Sequence, residues 1–276
     1  MKRIVRMKWI LVIAVFIAAL AVPERTEASS ALTRMEYGKK YSRNLDGKTR
    51  SIKYVRSGDQ NGNLTFKLYI DGTLKKKFRD YNELTGWMVK VNSKKTFLCI
   101  HNEGGSDDTE FFKVYEYKNG KLKEIGDLAK TAWKLSNTFH FAHFQAVDKN
   151  KWTVRWDLFS NAMGSMVYAD VTYKVTSSGI RRTGSAYSLR DVSRGNTSCL
   201  NWTARQSIAV YKTMSGGKVS YYIRKGEKVD ILKVSGKNGQ TWFQVRNSKG
   251  KKGWFKEPRS TAAPLIGYFE ECRFAN

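Results

Sequence analysis

Apolar and polar residues alternate with a period of two along most of this 276-residue chain. In LTFKLYI, Leu64, Phe66, Leu68 and Ile70 share one side while Thr65, Lys67 and Tyr69 share the other. KWTVRWDLF gathers Trp152, Val154, Trp156 and Leu158 in the same way, and MVYADVTYKV gathers Val167, Ala169, Val171, Tyr173 and Val175. Successive side chains on a strand point to opposite faces, so each run predicts a strand with one buried face. Asp71-Gly72 and Asn119-Gly120 follow such runs at once. Both dipeptides suit tight hairpin turns, whose two central residues need positive φ. Only YNELTGWMVK and DLAKTAWKLSN offer candidates for short helices. The predicted class is all-β, and strands closed by Gly-bearing turns fit a sandwich, a barrel or a propeller-like arrangement.

Three segments share a plan: LYIDGTLKK, VYEYKNGKLKE and DVTYKVTSSGIRR each run strand, polar turn with Gly, basic return strand. Two readings stand side by side. One is an internal repeat of about 50 residues, the scale of a propeller blade. The other is that β-hairpins resemble one another.

The N-terminus departs from this pattern. Lys2, Arg3, Arg6 and Lys8 precede fourteen apolar residues at 9–22, and Thr26 and Ala28 put small residues at −3 and −1 of a cleavage site. This is the layout of a secretory signal peptide over residues 1–28, and the run is shorter than the ~20 residues that span a bilayer. Retention as an uncleaved anchor is the competing reading. Past residue 28, 45 Lys and Arg stand against 22 Asp and Glu, a net +23. Such a surface keeps a protein soluble and draws it to polyanions. Outside a cell these are teichoic acids, anionic head groups, acidic polysaccharides or stray nucleic acid, and composition does not choose among them.

The segment from Tyr41 to Ile125 carries NLDGKTRSIKYV, an alternating strand, YIDGTLKK, the acidic GGSDDTEFFKVYEY and NGKLKEI. It resembles the VCBS/FG-GAP repeat segments of secreted Gram-positive proteins. In that family an Asp-rich loop before the first strand binds calcium. Here only Asn44, Asp46 and Gly47 match, and Lys48, Thr49 and Arg50 follow. Calcium takes six or more oxygens, so one carboxylate beside two cations implies a turn that kept its shape and lost its metal.

From Ser207 the chain reads SIAVYKTMSGGKVSYYIRKGEKVDILKVSGKNGQTWFQVRNSKGKKGWFKEP. Val210-Tyr211, the run from Lys225-Gly226-Glu227 to Val229, Trp242 with Val245, and Gly250, Gly253 and Trp254 resemble the bacterial SH3-like (SH3b) domain of extracellular and wall proteins. Gly226, Gly250 and Gly253 suit places where a Cβ would clash, and Val229, Ile231 and Val245 supply an inner face. The resemblance implies a small β-barrel that binds peptidoglycan or wall bearing teichoic acid. Two roles remain open for the tryptophans. Trp242 packs across the barrel mouth and Trp254 closes the last hairpin, or Tyr211, Tyr221, Tyr222 and Trp242 line an aromatic groove with a basic rim of Arg246, Lys249, Lys251 and Lys252.

The apolar tail PLIGYFEECRFAN is expected to fold back on this segment and bring Cys272 toward Cys199. Secretion permits a Cys199–Cys272 disulfide, and an anaerobic habitat would leave both reduced. Cys99, in TFLCI, reads as a buried core thiol.

Catalytic motifs are sparse. Cys99 and His101 share a strand face, but an apolar run does not lower a thiol pKa as a helix start does. His140 and His143 are three apart on a strand, hence on opposite faces, and form no metal pair. Asp107, Asp108 and Glu110 read as an exposed loop. The predicted layout is thus a signal peptide (1–28), a β-rich propeller-like or sandwich domain (29–195) and an SH3-like barrel with its tail (200–276). The expected role is a secreted, non-catalytic, cell-wall-associated protein without cofactor or metal. It would bind wall polymer or another extracellular polyanion, with no specific nucleic acid partner and no transmembrane anchor after cleavage. Two alternatives are a wall-modifying hydrolase with a cryptic N-terminal active site and a polyanion-binding adhesin without wall preference.

Overall fold

The computed structural model describes residues 31–58, 63–79, 83–103, 109–132, 134, 139–191, 197–237, 239–258 and 267–271. Leu32–Asn276 forms one compact unit. It is nearly all strand, as the alternation predicts. Strands β1 (Leu32–Met35), β2 (Lys40–Asn44), β3 (Thr49–Gly58), β4 (Leu64–Ile70) and β5 (Thr73–Arg79) come first. β6 (Leu84–Asn92), β7 (Lys95–Glu103), β8 (Thr109–Lys118) and β9 (Lys121–Asp127) follow. All pair antiparallel, in a sheet ordered β1-β6-β7-β8-β9 and a second ordered β2-β3-β4-β5.

After helix α1 (Leu128–Ala132) come β10 (Phe139–Asp148), β11 (Lys151–Ser160), β12 (Ser165–Thr176), β13 (Gly179–Arg182) and β14 (Ala186–Asp191). The last group is β15 (Thr197–Thr203), β16 (Ile208–Tyr211), β17 (Val219–Ile223), β18 (Lys228–Lys237), β19 (Gln240–Asn247) and β20 (Lys252–Lys256). They form a third sheet ordered β10-β11-β12-β14-β15-β18-β19-β20-β16-β17, with β13 on β12. Segments 29–195 and 200–276 share this sheet, because β14 pairs with β15 and with β18. Among the described residues no helix is long and apolar enough to cross a membrane.

Two cores explain the layering. Ile52, Tyr54, Phe66, Leu68 and Ile70 of the second sheet meet Met88, Leu98, Ile100, Tyr115 and Tyr117 of the first. The opposite face of the first sheet, with Val89, Phe97, Cys99, Phe112 and Val114, joins the core of Trp152, Val154, Trp156 and the inward residues of β12. The β6–β8 strands are therefore buried on both faces and read as apolar runs, as doubly covered strands do. This corrects the helix expected at YNELTGWMVK, where burial on two faces removed the period of two. The other candidate holds for Leu128–Ala132. Asp127 Oδ1 caps it, accepting from the N–H of Ala129 at 2.9 Å and of Lys130 at 3.4 Å. Both hairpin turns have the expected geometry, with Asp71 and Gly72 at φ 50° and 75° and Asn119 and Gly120 at 51° and 76°.

The tail packs back, as expected, over its described residues. Phe269 is fully buried, Tyr268 N–H donates to Ala162 O (2.6 Å) and Arg205 N–H donates to Tyr268 O (2.8 Å). Just past β20, Glu257 reaches the β11–β12 turn. It accepts from Ser160 Oγ (3.1 Å) and Ala162 N–H (3.2 Å), no cation pairs with it among the described residues, and burial raises its pKa from 4.5 to about 8.

The folded chain therefore keeps a proton that the unfolded chain loses above pH 4.5. Glu257's contribution to stability is complete below that pH and is lost as pH rises through about 8. His101 opposes this below pH 6.5, since burial, aided by the charge of His143, lowers its pKa to about 3. Comparing wild type with Glu257→Gln isolates the carboxyl. The two should melt alike at pH 5, whereas at pH 9 the Gln variant should melt higher by roughly 5–15 °C. A gap that does not change with pH would show that Glu257 does not titrate in this window.

Candidate functional site

The basic and aromatic residues singled out in the C-terminal segment lie on β16, β17, β19 and β20 and, for Lys249 and Lys251, in the turn between β19 and β20. On β19, Trp242, Gln244 and Arg246 share one face and Phe243 and Val245 the other. Strand register sets Arg246 between Asp230 and Lys252, Gln244 beside Trp254, and Trp242 beside Lys256. Tyr211 of β16 follows Trp254 in the next strand. Gly226 and Gly250 hold positive φ, 79° and 78°, in the turns that bring these strands together. Gly253 acts by close approach instead, since a Cβ there would meet Val210 Cγ1 at 2.4 Å and Tyr211 O at 2.9 Å.

Trp242 is 2% exposed. Tyr211 meets it edge-on at 5.7 Å, and Lys256 Nζ stands 5.2 Å from the Trp242 ring and 5.6 Å from the Tyr211 ring. The indole face is thus covered by protein, and what an incoming molecule meets is Lys256 and the half-buried Tyr211. Lys256 is the residue that sequence reasoning missed. Alternation in KGWFKEP puts Lys252, Trp254 and Lys256 on one face, which was the available signal.

The remaining predicted residues divide. Tyr221 donates its hydroxyl to Lys251 O at 3.1 Å, and burial, with the charge of Glu227, raises its pKa to about 12. Lys251 Nζ lies 4.6 Å from the Tyr221 ring. Tyr222 is 58% exposed and, one residue on, projects from the opposite face of β17. Arg246 is held by Asp230 Oδ2 at 2.7 and 3.0 Å and brings little net charge. Lys249 and Lys252 are exposed. The structure therefore groups Tyr211, Trp242, Trp254 and Lys256, pairs Tyr221 with Lys251, and sets Tyr222 apart. A shallow cavity of about 300 Å³ beside Tyr211 and Lys256 is lined further by Ser207, Ile208 and Tyr268.

At the NLDGKTR turn, Asp46 is already taken. Arg50 Nε and Nη2 donate to its two oxygens at 3.1 and 2.9 Å, and these bonds lower its pKa. A cation would have to displace the guanidinium. Cys99 is fully buried, and burial drives its thiol pKa well up, the opposite of an activated nucleophile. His101 stacks on Phe112 at 4.5 Å and contacts Thr109 Oγ1 at 3.2 Å. Glu110 accepts from Asn102 Nδ2 at 2.7 Å. Asp107, Asp108 and the His140 side chain lie outside the described residues, as does Cys272. The expected Cys199–Cys272 pairing thus falls outside them too, while Cys199 itself is buried.

Trp242→Ala should cost roughly 3–5 kcal/mol of stability, the usual range for a buried Trp. Tyr222→Ala should cost under about 0.5 kcal/mol. Denaturant unfolding of the two variants checks the assignment of one to the core and the other to the surface, and equal losses would refute it. Millimolar calcium should leave the melting temperature unchanged, and a rise abolished by Asp46→Ala would reveal a site at the turn. Compared with protein-family models, with curated proteins and with solved structures, the chain shows no match.

Proposed function

We propose that this is a secreted, non-catalytic protein of the cell envelope that attaches to wall polymer, peptidoglycan or teichoic acid, through residues 200–276. The observation that carries this reading is the rim of Lys249, Lys251, Lys252 and Lys256 around Tyr211, Tyr221 and Trp254. Among the described residues Lys251 meets the Tyr221 ring and Ser220 O, Lys256 meets the Trp242 and Tyr211 rings, and Asp230 is committed to Arg246. Uncommitted cations beside partly exposed rings suit a polymer that carries both anionic groups and sugar faces.

The finer architecture belongs to the same reading. Short antiparallel strands β16–β20 joined at Gly226 and Gly250, with an inner face of Val229, Ile231, Val245 and Phe255, support an SH3-like module. Residues 29–195 are read as a degenerate VCBS/FG-GAP-like segment arranged as a sandwich. The signal-peptide layout supports export.

Binding to isolated sacculi tests the proposal, measured by sedimentation with and without teichoic acid and across a salt series. The Leu32–Asn276 unit should bind, and affinity should fall by about tenfold or more between 50 and 200 mM salt if several phosphates are contacted. A Lys249/Lys251/Lys252→Ser variant should lose most of the binding. A variant that binds as wild type does at every salt concentration would overturn the assignment to this rim. Release of soluble wall fragments would replace the binding role with a hydrolytic one.

A further inference from the structure

The second sheet has one face in the core and the other in water, and the outer face has an unusual composition. Strand register gives its rows. Lys40, Lys53, Tyr69 and Leu74 lie side by side across β2, β3, β4 and β5. Val55, Lys67 and Lys77 form the next row, and Ser57, Thr65 and Arg79 the one beyond. Lys40, Lys53, Lys77 and Arg79 are exposed, Lys67 and Tyr69 half-buried, and Leu74 is 45% exposed. A groove of about 710 Å³ runs over Lys40, Lys53, Val55 and Tyr69.

The neighbouring lysines are used differently. Lys75 Nζ lies over Tyr117 and Lys76 Nζ over Tyr115 and Phe78, at the sandwich rim. A bulge between Leu68 and Tyr69 takes up Lys75, and beyond it Lys76 stands opposite the buried Leu68 while Lys77 turns outward opposite Lys67. Among the described residues no carboxylate pairs with Lys40, Lys53, Lys67 or Lys77. Asp71, at the edge of the groove, is engaged by Ser51 N–H (2.9 Å) and Arg50 (3.0 Å), which lower its pKa. Residues 40–79 hold 11 Lys and Arg against three Asp and Glu, so the excess charge is local to this sheet.

We propose that the outer face of the β2–β5 sheet binds a linear polyol-phosphate polymer, at a site separate from the C-terminal rim. The cations form a lattice spaced roughly 5 Å across strands and ~7 Å along them, which suits a flexible chain bearing one charge per short repeat. Lysine outnumbers arginine four to one. Ammonium groups act as point charges on phosphodiesters, whereas carboxylate polymers favour the bidentate fork of arginine. Tyr69 is the single aromatic ring in these rows, too few for the base-by-base stacking that holds single-stranded nucleic acid. Val55, Leu74 and Tyr69 offer apolar contact to the polyol carbons between charges.

The test is the affinity of the Leu32–Asn276 unit for wall-free poly(glycerol phosphate). Lys40/Lys53/Lys77→Ser replaces only exposed residues and should weaken binding about tenfold or more, and reduce the slope of log affinity against log salt by about two. Lys118/Lys121/Lys123→Ser removes the same charge from the β8–β9 hairpin and should change affinity less than about threefold. Equal losses from the two variants would overturn the proposal, leaving only diffuse attraction. Single-stranded DNA that displaces the polymer at a tenth of its phosphate concentration would overturn the choice of occupant. The Lys249/Lys251/Lys252→Ser variant separates this site from the C-terminal one. If it binds both sacculi and the polymer as wild type does while the sheet variant fails, the β2–β5 face stands and the C-terminal assignment falls.

Discussion

Burial of β6, β7 and β8 on both faces is the constraint on which the rest of the molecule depends. A strand covered on one side alternates, but these three put Leu98 and Ile100 into one core and Phe97 and Cys99 into the other. A sheet with no wet face needs a partner on each side. The β2–β5 sheet covers one side and β10–β12 the other. Each partner then has a single inner face to satisfy, and so keeps a strict period of two. Gly86 marks how close the layers come, because a Cβ there would meet Met35 Cε at 2.5 Å and Tyr54 at 3.1 Å.

That arrangement decides where the charge goes. With the apolar positions committed inward, outward positions of the flanking sheets are free to carry lysine. Some of these lysines complete the fold by laying their stems and ammonium groups over aromatic rings, as Lys75 does on Tyr117 at 5.7 Å and Lys76 on Phe78 at 5.9 Å. Other outward cations are balanced by acids, as Arg155 is by Asp170 at 2.9 Å. The functional readings rest on what is left after these two uses. A raw charge count does not distinguish a lysine that packs from one that waits for an anion.

The same distinction explains how much was legible in the sequence. β4, β11 and β12 declare themselves, because one wet face makes the period plain. Asp71-Gly72 and Asn119-Gly120 do so as well, since few residue pairs accept two positive φ values in succession. β6 does not, because its second buried face erased the signal. Of the candidate binding residues, Tyr222 and the exposed lysines are where alternation puts them. Trp242 is also on the predicted outer side of β19, yet that side is not wet. Tyr211 lies 31 positions earlier in the chain and Lys256 14 later, and together they cover it. A local period tells which face a side chain takes, and only the tertiary structure tells whether that face meets water.

The C-terminal strands do not stand clear of the rest. β18 is hydrogen-bonded along one edge to β14 and β15, Glu257 anchors the end of β20 to the β11–β12 turn, and Tyr268 and Glu270 tie the tail to Ala162 and Thr203. Two of these links, from Glu257 and Tyr268, meet at the turn between Ser160 and Ser165, where the N–H of Ala162 serves a carboxyl 95 residues away in the sequence. Strand β20 carries Lys252 and Lys256, and Glu257 just beyond it ties the end of that strand to the turn between β11 and β12. The strands from β15 to β20 are thus joined to the rest by hydrogen bonds rather than carried on a linker. The bond to that turn also accounts for an otherwise costly choice, a carboxyl buried, among the described residues, without a cation. Its oxygens satisfy a turn hydroxyl and an N–H that the abutting strands have shut off from water.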